Sequence, residues 1–326
     1  MHPFQYLRAT DPDTAVAYAA AQAGATFLAG GTGLVDLMKE GAERHSLLID
    51  VNRLPLAGIE PSGDGVRIGA LARNSDVANH STIRERYPLV SQAIRAGASA
   101  QLRNMASVGG NVMQRTRCLY FRDLAYPCNK RDPGTGCPAI HGFNRSHAIF
   151  SASGYCVATH PSDMCVALMA LDAVVQTRGV DGARSTPIAD FYLLPGATPD
   201  RETVLEPGEL VTAVDLPAPV GGRAHYLKVR DRASYEFALV SVAAVLDVEG
   251  GVIRAARLAA GGVAPRPWRL HESEAMLIGR RPETAVFREA AERAVEGARP
   301  LAHNGFKVEL LMRTIVRALE EVGGPA

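Results

Sequence analysis

Five cysteines fall between residues 118 and 165 of a 326-residue chain, and four of them, Cys118, Cys128, Cys137 and Cys156, are spaced C-x9-C-x8-C-x18-C. Thiolates are soft ligands that suit zinc or an iron–sulfur cluster. A structural zinc site usually draws two ligands from one turn, as in C-x2-C, and no such pair occurs here. Wide spacings are less awkward for a cubane cluster, whose four corners point apart and can be met from separate points of a folded loop. Spacing alone leaves three readings open: a cluster, a zinc site, or thiols and disulfides in a loop. Cys165, between Met164 and Val166 in an apolar helical pattern, reads as a small buried hydrophobe. Of three nearby histidines, His141 and His147 lie in polar loop sequence that predicts solvated rings. His160 adjoins a predicted helix start, where it can hydrogen-bond a ligand or hold the turn.

The cysteines interrupt what reads as one ligand site. Before them, RNMASVGGN offers Ser107, Gly109, Gly110 and Asn111, small or amide residues that let backbone N–H groups approach an anion. After them come Thr159, His160, Ser162 and Asp163. Nearer the N-terminus, Ala29, Gly30, Gly31, Thr32, Gly33 and Leu34 join a predicted strand to a predicted helix, an arrangement that presents N–H groups to a phosphate. GGTG is neither G-x-G-x-x-G nor G-x-x-x-x-G-K-[ST], so a plain tight turn stays open there.

The elements that must position these residues follow from the patterning. Residues 1–52 predict an α/β unit, with a helix over 15–23, strands over 25–29 and 46–51, and a helix from Leu34 to Met38. Residues 66–70 predict a strand, 74–83 and 87–98 helices, and 161–173 a helix starting at the site. A hairpin over 173–186 and a strand over 209–216 follow. Residues 217–222 (PAPVGG) read as a linker. Beyond it, three strands over 224–230, 237–248 and 252–262 and helices over 272–277, 283–295 and 306–320 predict a compact α+β unit.

Composition bounds the function class. With 47% hydrophobic and 21% charged residues the chain can bury a sizeable core, and a formal net charge of +1 argues against bulk attraction to nucleic acid or membrane. No apolar run reaches the ~18 residues of a membrane span. The N-terminus lacks a charged region followed by an apolar one, so no export signal is expected in this chain. The cysteines are too sparse for a disulfide scaffold and too clustered for scattered core thiols.

Four motifs in order, LAGGTGL at 28–34, RNMASVGGN at 103–111, PSDMCVALMALDA at 161–173 and YLKVRDRASYEFALVSVAA at 226–244, resemble the FAD-binding medium subunits of the xanthine dehydrogenase and aldehyde oxidoreductase family of molybdenum hydroxylases. The resemblance covers nearly the whole chain. In most of that family the GGN motif runs almost directly into P-x-S-D. The cysteine-bearing insertion here resembles the branch whose flavin subunit carries an additional [4Fe–4S] cluster, and within it the periplasmic aldehyde oxidoreductase type. The resemblance implies an α+β chain with a two-subdomain FAD-binding fold of the vanillyl-alcohol-oxidase-like (PCMH) kind. Residues 1–222 would form it, as subdomains of about 1–55 and 56–222 with an insertion over 113–160. A smaller α+β domain with a three-stranded sheet would occupy 223–326.

It further implies that Ala29 to Leu34 wrap the FAD pyrophosphate and that Ser107, Gly109, Gly110 and Asn111 close on the cofactor from the second subdomain. Asp163 would hold a ribose or ribityl hydroxyl, Lys228 would lie near the isoalloxazine, and His160 would join the FAD site. Cys118, Cys128, Cys137 and Cys156 would hold the [4Fe–4S] cluster, with Cys165 spare. Substrate oxidation would occur on a large molybdopterin-binding partner, with a small [2Fe–2S] partner relaying electrons to this chain's FAD and on to an external acceptor. No catalytic residue is therefore assigned here. Expected location is the cytoplasm, or the periplasm as a folded complex exported by a partner's signal. Flavin subunits of the xanthine dehydrogenase or 4-hydroxybenzoyl-CoA reductase type, a stand-alone FAD oxidase, and a cobalamin- or nucleotide-binding module with a zinc loop are the competing readings.

Overall fold

Among the described residues, 1–324 of the computed structural model, the strands form three sheets. The first is parallel, with the fully buried strand Leu47–Asp50 between Gln5–Arg8 and Ala25–Leu28. A parallel centre strand buried on both faces explains the unbroken apolar run LLI. The helix Pro12–Ala21 packs against this sheet, capped by Asp11, whose carboxylate accepts the Thr14 N–H at 2.8 Å. The edge strand Gln5–Arg8, mostly exposed, has no apolar alternation to announce it.

The second sheet is antiparallel, in the order Ile59–Ser62, Gly65–Gly69, Leu210–Leu216, Val174–Gly179, Gly182–Pro187. Helices Pro88–Ala96 and Asp163–Ala170 share a core with it that includes Leu89, Val90, Met164, Leu168 and Val214. Two predicted helices come out differently. Residues 74–83 divide into Asn74–Asn79 and Ser81–Arg86, because His80 is extended (φ −61°, ψ 131°) and its carbonyl starts the second helix. The helix expected over 161–173 runs only Asp163–Ala170, since Ser162 caps it and Asp172 turns out at φ 53°.

The last sheet is antiparallel in the order Trp268–Arg269, Val252–Gly261, Val240–Glu249, Arg223–Val229. The sequence predicted three of these strands; the fourth, two residues long, is too short to show a period. Val240, Val242, Ala244 and Leu246 pack toward a core shared with helices His271–Leu277, Thr284–Ala294 and Phe306–Gly323. Ala243 and Val245 on the opposite face belong to the core of the middle sheet and its helices. The final sheet is thus covered on both sides, and one of its faces completes the site.

Candidate functional site

A cleft of about 750 Å³ opens between the first sheet, the middle helices and the strand Arg223–Val229. One wall is the glycine turn. The strand Ala25–Leu28 ends just before Gly30, Gly31 takes φ 73°, and the helix Leu34–Glu40 begins after Gly33 with no side-chain cap. A Cβ at Gly30 would stand 1.9 Å from the Met105 carbonyl oxygen, so only glycine lets this turn lie against the start of the GGN segment. Around Gly33 a Cβ would meet nothing within 4 Å; that side faces open space. Asn52 and Arg73 brace the contact: the Asn52 amide donates to the Ala29 carbonyl at 3.0 Å, Arg73 Nη2 to Asn52 Oδ1 at 2.9 Å and Arg73 Nη1 to the Met105 carbonyl at 2.6 Å. Neither brace was foreseen, for nothing local in the sequence marks a contact between segments so far apart.

The opposite wall is the GGN turn. Ser107 caps a short helix, Val108–Val112, its Oγ accepting the Gly110 N–H at 3.2 Å. Gly109 is pressed against Ala70, where a Cβ would come within 3.0 Å of the alanine methyl. Asn111 is tied to the P-S-D turn, since Ser162 Oγ donates to its Oδ1 at 2.6 Å. The two motifs separated by the cysteine insertion are therefore hydrogen-bonded neighbours.

Asp163 and Lys228 meet at the back of the cleft. Lys228 Nζ lies 2.7 Å from Asp163 Oδ2, with side chains 3% and 8% exposed. The Tyr226 hydroxyl donates to Asp163 Oδ1 at 2.7 Å and lies 2.9 Å from Ser241 Oγ. Burial, and after it the adjacent carboxylate charge, keep Tyr226 well above its ordinary pKa, so it stays a donor. Tyr226 and Lys228 are two apart on one strand and share a face, a signal that was present in YLK and went unused. Glu43 also lines the cleft, bonded by Arg115 Nη1 at 2.6 Å and His45 at 3.1 Å. Burial alone would raise its pKa, but His45 and the charge of Arg115 outweigh that and hold the carboxyl low.

Ala29, Gly30, Gly31, Thr32, Gly33, Leu34, Ser107, Gly109, Gly110, Asn111, Asp163 and Lys228 all line this one cleft. His160 does not. Its ring lies against Tyr192, centroids 4.6 Å apart, and walls two smaller cavities behind the cleft.

Cys118, Cys128, Cys137 and Cys156 line a single small pocket, drawn together from the loop that holds them. No disulfide joins any of the five cysteines. Among the described residues no three His, Cys, Asp or Glu side chains are grouped to hold a single metal ion. Burial pushes the Cys118 thiol up to about 12, opposed by the N–H groups of Phe121 and Tyr120 and reinforced by Cys128 and Cys156. A bound cation would be needed to make it a thiolate at neutral pH. Cys165 sits apart and fully buried, its sulfur 3.1 Å from the Tyr192 hydroxyl. His147, expected in solvent, is instead buried, with Nε2 3.1 Å from Cys118 Sγ, because the helix Phe306–Gly323 and the loop before it close over its backbone. His141 is exposed as expected.

Residues 2–219 match the family model described as the FAD binding domain in molybdopterin dehydrogenase, and residues 224–322 match the CO dehydrogenase flavoprotein C-terminal domain. The chain belongs to the FAD-binding medium subunits of the molybdenum hydroxylases. As such a medium subunit it binds FAD and serves an oxidoreductase. It is similar to the aldehyde oxidoreductase FAD-binding subunit PaoB of Escherichia coli (strain K12), 50% identical with all of both chains covered. The glyceraldehyde dehydrogenase medium chain of Sulfolobus acidocaldarius is 28% identical, over 99% of this chain and 100% of its own. In structure this medium subunit resembles a carbon monoxide dehydrogenase chain from Hydrogenophaga pseudoflava, with TM-score 0.78, 25% identity and coverage of 99% and 98%. Among the described residues no helix is long and apolar enough to cross a membrane.

Proposed function

We propose that this medium subunit is the electron-transferring flavoprotein of an aldehyde oxidoreductase, and that its cysteine loop holds a [4Fe–4S] cluster. The observation that carries the aldehyde reading is the 50% identity, end to end, with a subunit named for that reaction. FAD, when bound, supplies a two-electron carrier that can be emptied by an external acceptor. Aldehyde is oxidised to acid on a large molybdopterin-binding partner, and a small [2Fe–2S] partner stands between that centre and this chain.

The residues' work is to bind and orient. Backbone N–H groups of Ala29 to Leu34 would hold the pyrophosphate of bound FAD, and no atom lies within 4 Å of the place a Cβ would take at Gly33. Ser107, Gly109, Gly110 and Asn111 close the other side. Asp163 would offer carboxylate oxygens to a ribose or ribityl hydroxyl, and Lys228, which holds Asp163 in place, would supply positive charge to the bound flavin. The cluster reading rests on the cysteines alone: Cys118, Cys128, Cys137 and Cys156 all line one pocket, and they come from separate points of the loop. That suits a cubane better than zinc.

The test is anaerobic purification of the complex, followed by flavin absorbance near ~450 nm and iron analysis. Cys128→Ser is expected to lose about four iron atoms per FAD while retaining flavin. Full iron retention would remove Cys128 from the ligands. Aldehyde that fails to bleach the flavin of the intact complex would overturn the substrate assignment.

A further inference from the structure

One polar side chain in the flavin cleft serves nothing in the fold. Asn74 lines the cleft and is 4% exposed, yet its Oδ1 is enclosed with no hydrogen-bond partner among the described residues. Although the helix Asn74–Asn79 starts at this residue, no side chain caps that helix. Nδ2 likewise donates to no described group but, unlike Oδ1, is not enclosed. An unpartnered polar atom buried in a fold destabilises it, and a leucine of similar size carries no such penalty. Nothing in the empty fold therefore accounts for an amide at this place.

The surroundings decide what the amide meets. Residues 70–74 run beside the GGN segment: the Gly109 N–H donates to the Ala70 carbonyl at 2.8 Å, the Val108 N–H to Ala72 at 3.0 Å and the Asn74 N–H to Ala106 at 2.9 Å. Ala106 and Ser107 line the cleft. Met105, just before them, is where the turn at Gly30 lands. Asn74 thus stands at the seam on which the glycine turn and the GGN turn converge. Arg73 beside it is occupied by Asn52 Oδ1 and the Met105 carbonyl, which leaves the Asn74 amide as the free donor of the two.

We propose that Asn74 Nδ2 donates a hydrogen bond to the diphosphate of FAD, so that this side chain is kept for the cofactor and not for the fold. This rests on the pyrophosphate reading above. The oxygens of a diphosphate accept and do not donate, so the amide must present its NH2 to the cleft and keep Oδ1 turned inward, the orientation found here. A hydrogen bond to a charged group is stronger than one between neutral groups. It offsets the enclosed oxygen only while the ligand is in place.

The experiment titrates the flavin-stripped full chain with FAD, followed by flavin fluorescence, and with ADP as a competitor that carries the diphosphate without the isoalloxazine. Thermal unfolding of the empty chain is read in parallel. Asn74→Leu is expected to weaken FAD and ADP alike by about ten- to a hundredfold, while the empty chain melts at or above the wild-type temperature. Asn74→Asp keeps the shape, sets a carboxylate against the diphosphate and is expected to weaken both further. FAD affinity within about twofold of wild type in Asn74→Leu overturns the proposal, as does an ADP affinity that stays put while that for FAD falls. Should Asn74→Leu melt below wild type, Asn74→Asp decides: wild-type FAD affinity there refutes the contact, and weakened affinity upholds it. Gly33→Ala, run alongside, tests the pyrophosphate reading itself. If neither it nor Asn74→Leu weakens FAD, that reading falls too; if it alone does, the reading stands and only Asn74 is refuted.

Discussion

Replacing Asp163 with leucine probes the electrostatic centre of the flavin cleft. In the wild type its two oxygens accept from Lys228 Nζ and the Tyr226 hydroxyl, each at 2.7 Å. Without the carboxylate, Tyr226 keeps Ser241, but the Lys228 ammonium keeps only the Ala96 carbonyl at 3.2 Å and no counter-charge. Stripping one partner from a buried ion pair costs ~3–5 kcal/mol. At ~2 °C per kcal/mol, the lower end for large domains, Tm should fall by about 6–10 °C. Asp163→Leu with Lys228→Met removes both charges and should recover most of the loss, since apolar replacements of buried pairs are often neutral. Thermal unfolding of flavin-stripped protein at pH 7, followed by circular dichroism, separates this effect from lost cofactor binding. A double variant that melts no higher than Asp163→Leu would refute the coupling. So would a single variant whose Tm falls by less than about 2 °C.

Glycine substitutions separate folding from cofactor binding. Gly33→Ala meets no atom within 4 Å and keeps an ordinary φ of −115°, so Tm of the stripped protein should stay put while FAD per chain falls; unchanged FAD content would take Gly33 out of the cofactor wall. Gly30→Ala drives a methyl into the Met105 carbonyl and should lose both flavin and ~1–3 kcal/mol of stability, read from denaturant midpoints. Glu43 tests pH dependence. Its folded-state pKa lies below the ordinary 4.5, so its pairing with Arg115 and His45 contributes stability above that value and loses it as pH falls through the folded one. Glu43→Gln should therefore melt below wild type at pH 7, with the gap narrowing as pH falls below the ordinary 4.5; a gap that widens on acidification contradicts the assignment.

Local chemistry was the legible part of the sequence. The glycine turn, the Ser107 and Ser162 motifs and the buried character of Cys165 are all set by near neighbours, and each could be read from a few residues. What escaped depends on the fold. Arg73 and Asn52 act only because the turn at Gly30 lands on Met105. His147 sits in a polar run, yet burial is imposed on it by Asn304 and Lys307, far along the chain. His160, just before a helix start, could bond a ligand or hold the turn, and it holds the turn, its Nδ1 accepting the Ser162 N–H at 3.3 Å. That helix begins at Asp163, and the intervening turn aims the ring away from the cleft. Short edge strands such as Ile59–Ser62 carry too few residues for a period to emerge.

The cleft wall formed by Lys228 has a consequence for biosynthesis. A ribosome delivers the glycine turn, the GGN segment and Asp163 long before the strand Arg223–Val229, and until that strand pairs with Val240–Glu249 the Asp163 carboxylate has neither Tyr226 nor Lys228. The thiol-bearing loop has emerged by Cys156, but its backbone waits longer still, for Val263, Asn304 and Lys307, which bond Ile149, Phe150 and His147. On the proposed assignment of Asp163 and Lys228 to the FAD site, flavin capture is therefore a late event that follows an essentially finished polypeptide. A product truncated at residue 222 would lack Tyr226 and Lys228, and with them both partners of the Asp163 carboxylate.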